Sequence, residues 1–115
     1  MSGLTTHILD TAAGRPAAGV AVRVYRRVEG PPTLLLATAT DADGRARLVE
    51  GEALAVGGYR LEFEIAAYFA ASGAKVSDPP FLDVVTIDFA VADPVQHHHV
   101  PLLVSPFGYS TYRGS

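Results

Sequence analysis

The chain has 115 residues, of which 49% are hydrophobic, so it carries enough apolar material to bury the core of one domain. Nine lysines and arginines stand against twelve aspartates and glutamates, and the formal charge of −3 argues against the clustered basic surface that nucleic-acid binding requires. There are no cysteines, which excludes disulfides, thiol nucleophiles and thiolate metal sites.

The longest apolar runs are too short to cross a bilayer, and the first residues lack the basic and apolar segments of a signal peptide. We therefore predict a cytoplasmic protein without a membrane partner. The length and the even composition predict a single domain over residues 1–115.

The hydrophobic pattern has a dominant period of two, which is typical of strands with one buried face. In chain order, this pattern and its Gly and Pro breaks predict strands over residues 4–10, 20–25, 34–40, 59–65, 84–91, 98–105 and 107–113. One helix is predicted over residues 66–73, where an Ala-rich run ends on glycine. With a further turn signal at residues 41–44, about eight short strands and one short helix predict an all-β sandwich of two sheets.

The end of the chain is chemically unusual for a terminus. The last four residues place an aromatic ring, a guanidinium and a hydroxyl close together, in the order Tyr112-Arg113-Gly114-Ser115. Chain ends usually fray and carry little information, so this terminal tetrad indicates an end that is docked and used. Lys75 is the single lysine among the nine basic residues, and arginine suits the fixed, two-pronged recognition of planar anions.

Four blocks of sequence, in this order, resemble the 5-hydroxyisourate hydrolases of the transthyretin-like family. They are Leu4-Thr5-Thr6-His7-Ile8-Leu9-Asp10, the turn Asp43-Gly44-Arg45, the pair Val100-Pro101-Leu102-Leu103 and Ser105-Pro106-Phe107-Gly108-Tyr109, and the terminal tetrad. The similarity runs from residue 4 to residue 115. The tetrad is the block that separates the hydrolases from transthyretin, the hormone carrier of the same fold.

The resemblance implies a prealbumin-like sandwich that hydrolyses 5-hydroxyisourate to 2-oxo-4-hydroxy-4-carboxy-5-ureidoimidazoline during urate degradation. It implies that His7, Arg45 and His99 are catalytic, and that the terminal tetrad binds the substrate in the same pocket. It also implies a homotetramer, a dimer of dimers whose active sites lie in the channel between the dimers. Neither a cofactor nor a metal is expected, because the scissile amide is already activated by neighbouring carbonyls.

The residue types suit this reaction. A neutral histidine can take a proton from water near neutral pH, and an arginine can fork onto carbonyl oxygens and stabilise a developing anion. His7 and His99 would form the base and the water-positioning residue, and the sequence leaves open which residue has which role.

The triplet His97-His98-His99 raises the alternative of a zinc site, because imidazole is a common zinc ligand. Successive residues of a strand point to opposite faces, so His97 and His99 would share a side while His98 points away. Two ligands on one face are too few, and we predict no metal. His98 stands where relatives commonly have tyrosine.

Other charged residues have ordinary interpretations. Arg47 lies two residues after Arg45 and would share its face, so it could be mistaken for the catalytic arginine. The position of Arg45 directly after Asp43-Gly44 favours Arg45 for that role. Asp10, Asp41 and Asp43 are interpreted as turn and strand-end residues.

Two other functions stay open. The first is a non-catalytic, transthyretin-like carrier of a small ligand, which tight binding without turnover would indicate. The second is a structural or adhesive module of a longer surface protein, which a monomer in solution would indicate. The intact terminal tetrad, together with His7 and His99, favours the hydrolase.

Overall fold

The structure, a computed structural model, describes residues 2–114. Over these residues the chain forms nine β-strands in two sheets, one α-helix and one short 3-10 helix. The strands are β1 (Gly3–Asp10), β2 (Arg15–Pro16), β3 (Ala21–Arg27), β4 (Thr33–Ala39), β5 (Arg45–Glu50), β6 (Gly57–Glu64), β7 (Val84–Val91), β8 (His97–Ser105) and β9 (Gly108–Thr111); the helix α1 is Ile65–Ser72 and the 3-10 helix is Gly51–Ala53. The predicted all-β fold with two sheets and one short α-helix is confirmed.

Strand β1 lies inside the first sheet, with partners on both sides. β8 runs parallel to it along one edge, and β5 and the short β2 run antiparallel along the other. β9 pairs with the outer edge of β8. The second sheet is antiparallel, in the order β4-β3-β6-β7. The parallel pairing matters for function because it brings the start of the chain beside its C-terminal histidines.

Period-two alternation places one face of each sheet in a shared core. In β1, Leu4 and Ile8 are fully buried, whereas Thr5 and His7 lie on the opposite face. The second sheet contributes Leu61, which is also fully buried. Removing such a side chain from water stabilises the fold by about 1.5–3 kcal/mol, so the core fixes which face of β1 remains available for chemistry.

The sequence pattern did not predict the bounds of β5, because hydrophobic and polar residues do not alternate regularly along this strand. Leu48 and Val49 are both buried although they are neighbours, which breaks the alternation. The cause is a shift in the pairing of β1 with β5 between Leu4 and Thr5, a bulge that only the paired structure reveals.

The helix begins one residue earlier than predicted, at Ile65, and ends on Gly73 as predicted. Gly73 adopts a left-handed conformation with φ 77°, and its N–H caps the helix by donating to the carbonyl of Phe69. No helix within residues 2–114 is long and apolar enough to span a membrane.

Asp10 does more than end a strand. Its carboxylate accepts hydrogen bonds from the N–H groups of Ala12 and Ala13, both at 3.0 Å, as a turn residue would. It is also only 2% exposed and accepts the hydroxyl of Tyr68 at 2.8 Å. Burial and this hydrogen bond raise the pKa of Tyr68, which keeps the phenol protonated as the donor. Asp10 therefore ties α1 to the end of β1.

Candidate active site

The outer face of the first sheet carries a polar cluster on three adjacent strands. β1 contributes Thr5 and His7, β5 contributes Arg45, and β8 contributes His99. In the register, Thr5 lies opposite His99, and His7 lies opposite Arg45. The three predicted catalytic residues are therefore brought together although they lie far apart in the chain.

Most of this cluster lines an open cleft of about 660 Å³. Its walls are formed by Thr5, Thr6, Thr38, Ala39, Asp41, Arg45, Ala46, Arg47, His97 and His99. Paired strands of the first sheet supply Thr5, Arg45 and His99, whereas β4 of the second sheet supplies Thr38 and Ala39. Mounting on paired strands restricts the movement of these side chains, as a site that must align reacting groups requires.

His99 is held in its orientation by a neighbouring hydroxyl. Its Nδ1 lies 2.8 Å from Oγ1 of Thr5, which leaves Nε2 as the second ring nitrogen. Burial lowers the pKa of His99, and the positive charge of Arg45 and the neighbouring His7 and His97 lower it further. The ring is therefore neutral near pH 7 and able to accept a proton.

His7 is fixed by the backbone of the turn before β5. Its Nε2 lies 2.9 Å from the carbonyl oxygen of Asp43. A carbonyl oxygen can only accept, so Nε2 of His7 carries a proton and donates it. In the neutral ring Nδ1 then holds the free lone pair.

Arg45 owes its position to the turn that precedes it. Its N–H donates to Oδ1 of Asp41 at 3.0 Å, as does the N–H of Asp43 at 2.9 Å, which bears out the interpretation of Asp41 as a turn residue. Gly44 has φ 77°, and a Cβ there would lie 2.5 Å from the carbonyl oxygen of Ile8, so the turn requires glycine. The tight turn delivers Arg45 to the edge of the cleft.

Arg47 lies in the same cleft but has an acidic neighbour. Its guanidinium is 3.7 Å from the carboxylate of Glu50 on the same strand. Within residues 2–114, Arg45 has no carboxylate within salt-bridge distance. Arg45 is thus the arginine whose charge is available to a bound anion.

The histidine triplet divides between the two faces of the sheet, as the alternation predicted. His97 lies on the outer face with its Nε2 at 3.0 Å from Oγ1 of Thr5. His98 points into the core, is 4% exposed, and donates from Nδ1 to the carbonyl oxygen of Gln96 at 2.9 Å. In the described part of the chain, no group of three or more His, Asp or Glu side chains is arranged to hold a metal.

The terminal tetrad is only partly assembled with this cleft. Gly114 forms an antiparallel bridge with His99, its N–H donating to the His99 carbonyl at 2.7 Å. Tyr112 and Arg113 line a separate groove of about 260 Å³ that lies between β7 and β9. Ser115 lies outside the described residues. Of the three tetrad residues that the structure describes, Gly114 is therefore the one brought to the catalytic cluster within a single chain.

Thr5 is a residue of this site that the sequence analysis missed. Its hydroxyl is within hydrogen-bond distance of both His97 and His99. The signal was present, because Thr5 and His7 are two residues apart on one strand and so share a face. What the sequence lacks is the parallel register that sets Thr5 beside His99.

Comparisons with known proteins identify the family of the chain. The model of the HIUase/Transthyretin family matches residues 4–114. The chain is 74% identical to a 5-hydroxyisourate hydrolase of Caulobacter vibrioides, over 100% of both sequences. Among solved structures, it is similar to the 5-hydroxyisourate hydrolase of Klebsiella pneumoniae, with 40% identity, a TM-score of 0.82 and full coverage of both chains.

The fold is also that of the hormone carrier. Transthyretin from Sparus aurata aligns with a TM-score of 0.88 and 32% identity, over 99% of this chain and 97% of that one. The predicted prealbumin-like sandwich is therefore confirmed. A family model that covers nearly the whole chain and a full-length relative at 74% identity agree, and the chain belongs to the HIUase/Transthyretin family.

Proposed function

We propose that this protein is an enzyme that hydrolyses 5-hydroxyisourate, opening its ring at an activated amide bond during urate degradation. The observation that carries the proposal is the meeting of a neutral His99 and an unpaired Arg45 on one sheet face. A base and a fixed cation in one cleft are what addition of water to a carbonyl requires. The full-length hydrolase relative from Caulobacter vibrioides supports the same activity.

In the proposed mechanism His99 is the general base. Its Nδ1 is engaged by Thr5, so Nε2 faces the substrate water and accepts its proton as the oxygen attacks the ring carbonyl. His7, whose Nε2–H is bound to the Asp43 carbonyl, offers Nδ1 as an acceptor that orients the same water. This division assigns the two roles that the sequence left open.

Arg45 acts on the carbonyl oxygen. Addition of water places negative charge there, and a guanidinium at the edge of the cleft can donate two parallel hydrogen bonds to it. The intermediate then collapses: the carbonyl re-forms, the C–N bond breaks, and the leaving nitrogen takes the proton from Nε2–H of His99. No cofactor has a part in these steps, since the ring amide is already activated by the adjacent carbonyls.

The terminal tetrad completes the substrate pocket in the assembled protein. Among the described residues of the tetrad, Gly114 reaches His99, whereas Arg113 donates to the Gln96 side chain at 3.0 Å. We propose that subunits associate through the outer face of the first sheet, as a homotetramer, and that this brings Tyr112 and Arg113 to the substrate. Exposed aromatic side chains on and beside β9, including Tyr109, support association on this side. A single domain over residues 1–115 and residence in the cytoplasm stay predictions.

The direct test uses 5-hydroxyisourate generated in the cuvette from urate and urate oxidase. Its near-ultraviolet absorbance is followed with and without the protein, and again with a chelator. We expect decay well above the spontaneous rate that is unaffected by the chelator. Decay at the spontaneous rate, with tight binding of an aromatic ligand, would favour a carrier instead, the function to which the structural similarity to Sparus aurata transthyretin would then point.

A matched pair of variants tests the base. His99→Asn should lower turnover by about 10²–10⁴-fold, the usual contribution of a general base, without changing the assembly state. His98→Asn makes the same chemical change on the buried face and can still donate to the Gln96 carbonyl, so it should remain within a few fold of wild type. Equal activity of the two variants would contradict the assignment.

A further inference from the structure

One hydroxyl group in the cleft lies between two imidazoles. Oγ1 of Thr5 is 2.8 Å from Nδ1 of His99 and 3.0 Å from Nε2 of His97. All three side chains are mounted on neighbouring strands, β1 and β8, whose parallel pairing fixes their spacing. The contact between two histidines through a threonine has no part in the mechanism above.

The Thr5 hydroxyl carries a single proton, which restricts the directions of its hydrogen bonds with His97 and His99. A threonine hydroxyl has one proton to donate and lone pairs to accept, so it can donate to only one of the two rings. If Thr5 donated to His99, the proton of the neutral His99 ring would lie on Nε2, and His99 could not act as a base. If Thr5 instead accepts from His99, Nδ1–H of His99 is the donor, Nε2 of His99 is free, and the Thr5 proton is available for donation to His97.

We propose that Thr5 is a positioning residue that holds His99 in its Nδ1–H form and passes a proton from His99 to His97 as water attacks the ring carbonyl. The proposal rests on the function proposed above, in which Nε2 of His99 is the base. It gives Thr5, which the base mechanism uses only to engage Nδ1 of His99, a part in proton transfer, and it gives a role to His97, which that mechanism does not use.

The proposed transfer conserves protons. Nε2 of His99 takes one proton from the water as its oxygen bonds to the carbonyl carbon. The proton on Nδ1 of His99 moves to Oγ1 of Thr5, and the hydroxyl proton of Thr5 moves to Nε2 of His97. His99 returns to a neutral form, Thr5 keeps one hydroxyl proton, and the positive charge resides on His97.

The surroundings of the two rings favour this direction. His99 lies with His7 and Arg45, and the cation there opposes a second positive charge. His97 lies at a boundary, because it lines both the cleft of His99 and a neighbouring groove of about 580 Å³.

Charged side chains line both the cleft and the second groove. The cleft of His99 is lined by Asp41, Arg45 and Arg47, and the second groove by Arg47, Glu50 and Glu52. The proton on His97 therefore lies on the side of the second groove, away from the substrate, until the reverse transfer lets Nε2–H of His99 protonate the leaving nitrogen.

The first experiment reads the protonated nitrogen directly. The protein has four histidines, so ¹⁵N-histidine labelling, with assignment by single His→Gln variants, distinguishes the ring nitrogens by NMR above pH 8. We expect wild-type His99 in the Nδ1–H form. Thr5→Val removes the hydroxyl with little change of shape and should move His99 to the Nε2–H form, whereas Thr5→Ser should retain the Nδ1–H form.

Kinetics provide the second readout. Thr5→Val should lower kcat roughly 10- to 100-fold with KM changed by less than about threefold. The variant removes one hydrogen bond that orients His99 and shifts the ring to the Nε2–H tautomer, whose Nε2 cannot accept a proton from water. Thr5→Ser should recover most of that loss. His97→Gln keeps an acceptor for Thr5 but cannot take up a proton, so it should lower kcat while the NMR form of His99 is unchanged.

Thr11→Val is the matched control, since the Thr11 hydroxyl donates only to the Val104 carbonyl at 3.1 Å and lies outside the cleft. Wild-type His99 in the Nε2–H form would overturn the proposal, as would a Thr5→Val variant as active as Thr11→Val, or a fully active His97→Gln. The NMR measurement needs no substrate, so a failure of the proposed hydrolysis appears only in the assay and is distinguishable from a failure of the relay.

Discussion

Burial of the His99 ring links a single side chain to the pH dependence of the enzyme. The pKa of His99 is lowered below the ordinary 6.5, chiefly by burial and then by the charge of Arg45. Only the neutral ring can act as a base. Turnover is therefore expected to be constant around pH 7 and to fall only as the pH drops through this lowered pKa, which a profile of kcat/KM against pH measures.

The contribution of Arg45 can be separated from that of burial. Arg45→Gln removes the cation that opposes the imidazolium, so the pKa of His99 should rise toward its ordinary value. The measurement is an NMR titration of the His99 ring, which does not depend on the activity of the variant. Arg15→Gln, on the short strand β2 outside the cleft, is the control and should leave the titration unchanged. An unchanged or lower pKa in Arg45→Gln would show that the charge of Arg45 does not reach the ring.

At the scale of an element, the docking of the last residues onto β8 depends on the absence of a side chain. A Cβ at position 114 would lie 2.7 Å from Cδ2 of His99 and 3.3 Å from its Cβ. Gly114→Ala must therefore displace either the terminal segment or the ring. Gly114→Ala should lower turnover at least tenfold with little loss of stability, because the segment makes few other contacts, and steady-state kinetics with thermal unfolding measure both.

Gly108→Ala is the counterpart of this variant. A Cβ at Gly108 meets no atom within 4 Å, and its backbone is outside the left-handed region, so the same methyl group has space there. Its turnover should match that of wild type. A Gly114→Ala variant with unaltered kinetics would contradict the view that the segment is used in catalysis.

The helix provides a second prediction at this scale. Asp10→Ala removes the acceptor for the Tyr68 hydroxyl and for the N–H groups of Ala12 and Ala13. Because a half-buried phenol and the turn then lose a charged partner, the free energy of unfolding should fall by about 3 kcal/mol. Urea denaturation measures the change.

Two variants with smaller expected losses of stability serve as comparisons for Asp10→Ala. Tyr68→Phe loses one of the hydrogen bonds to Asp10 and should cost about 1–2 kcal/mol. Asp93→Ala removes an exposed carboxylate that accepts one N–H, from Val95 at 3.1 Å, and should cost less than Asp10→Ala by a clear margin. Equal losses for the two aspartates would mean that the contact with α1 contributes nothing.

At the scale of the whole molecule, the proposed tetramer makes activity depend on association. Ser110 lies on the exposed strand β9, opposite Leu103 on β8. Ser110→Glu places a charge on this side, and burying an unpaired carboxylate between subunits is costly. The tetramer and the activity should therefore be lost together, as measured by light scattering and the cuvette assay.

Ser77→Glu carries the same change on an exposed loop, where the Ser77 hydroxyl donates only to the Pro79 carbonyl. It should leave both properties intact. A dimer or monomer of Ser110→Glu with full activity would refute the coupling between assembly and catalysis.

Sequence patterns predicted the elements best where burial is one-sided and regular. The strands around Val22 and Leu61 alternate cleanly, because each side chain faces either the core or water. The pattern predicted no bounds for β5, since a bulge in this strand, opposite Leu4 and Thr5 of β1, leaves Leu48 and Val49 buried side by side. The opposite faces of His97 and His98 followed from period two alone.

The sequence by itself determined the class of the fold, the family and the residue types that the reaction needs. Alternation along a strand is local, and the blocks around His7, Arg45 and His99 are contiguous, so both can be read without coordinates. Tertiary structure alone decided that Thr5 contacts both histidines and that Asp10 is buried under α1. The physical reason is register: which residue lies opposite which is fixed by packing the whole sheet on its core, and a contact between residues far apart in the chain exists only once that register is set.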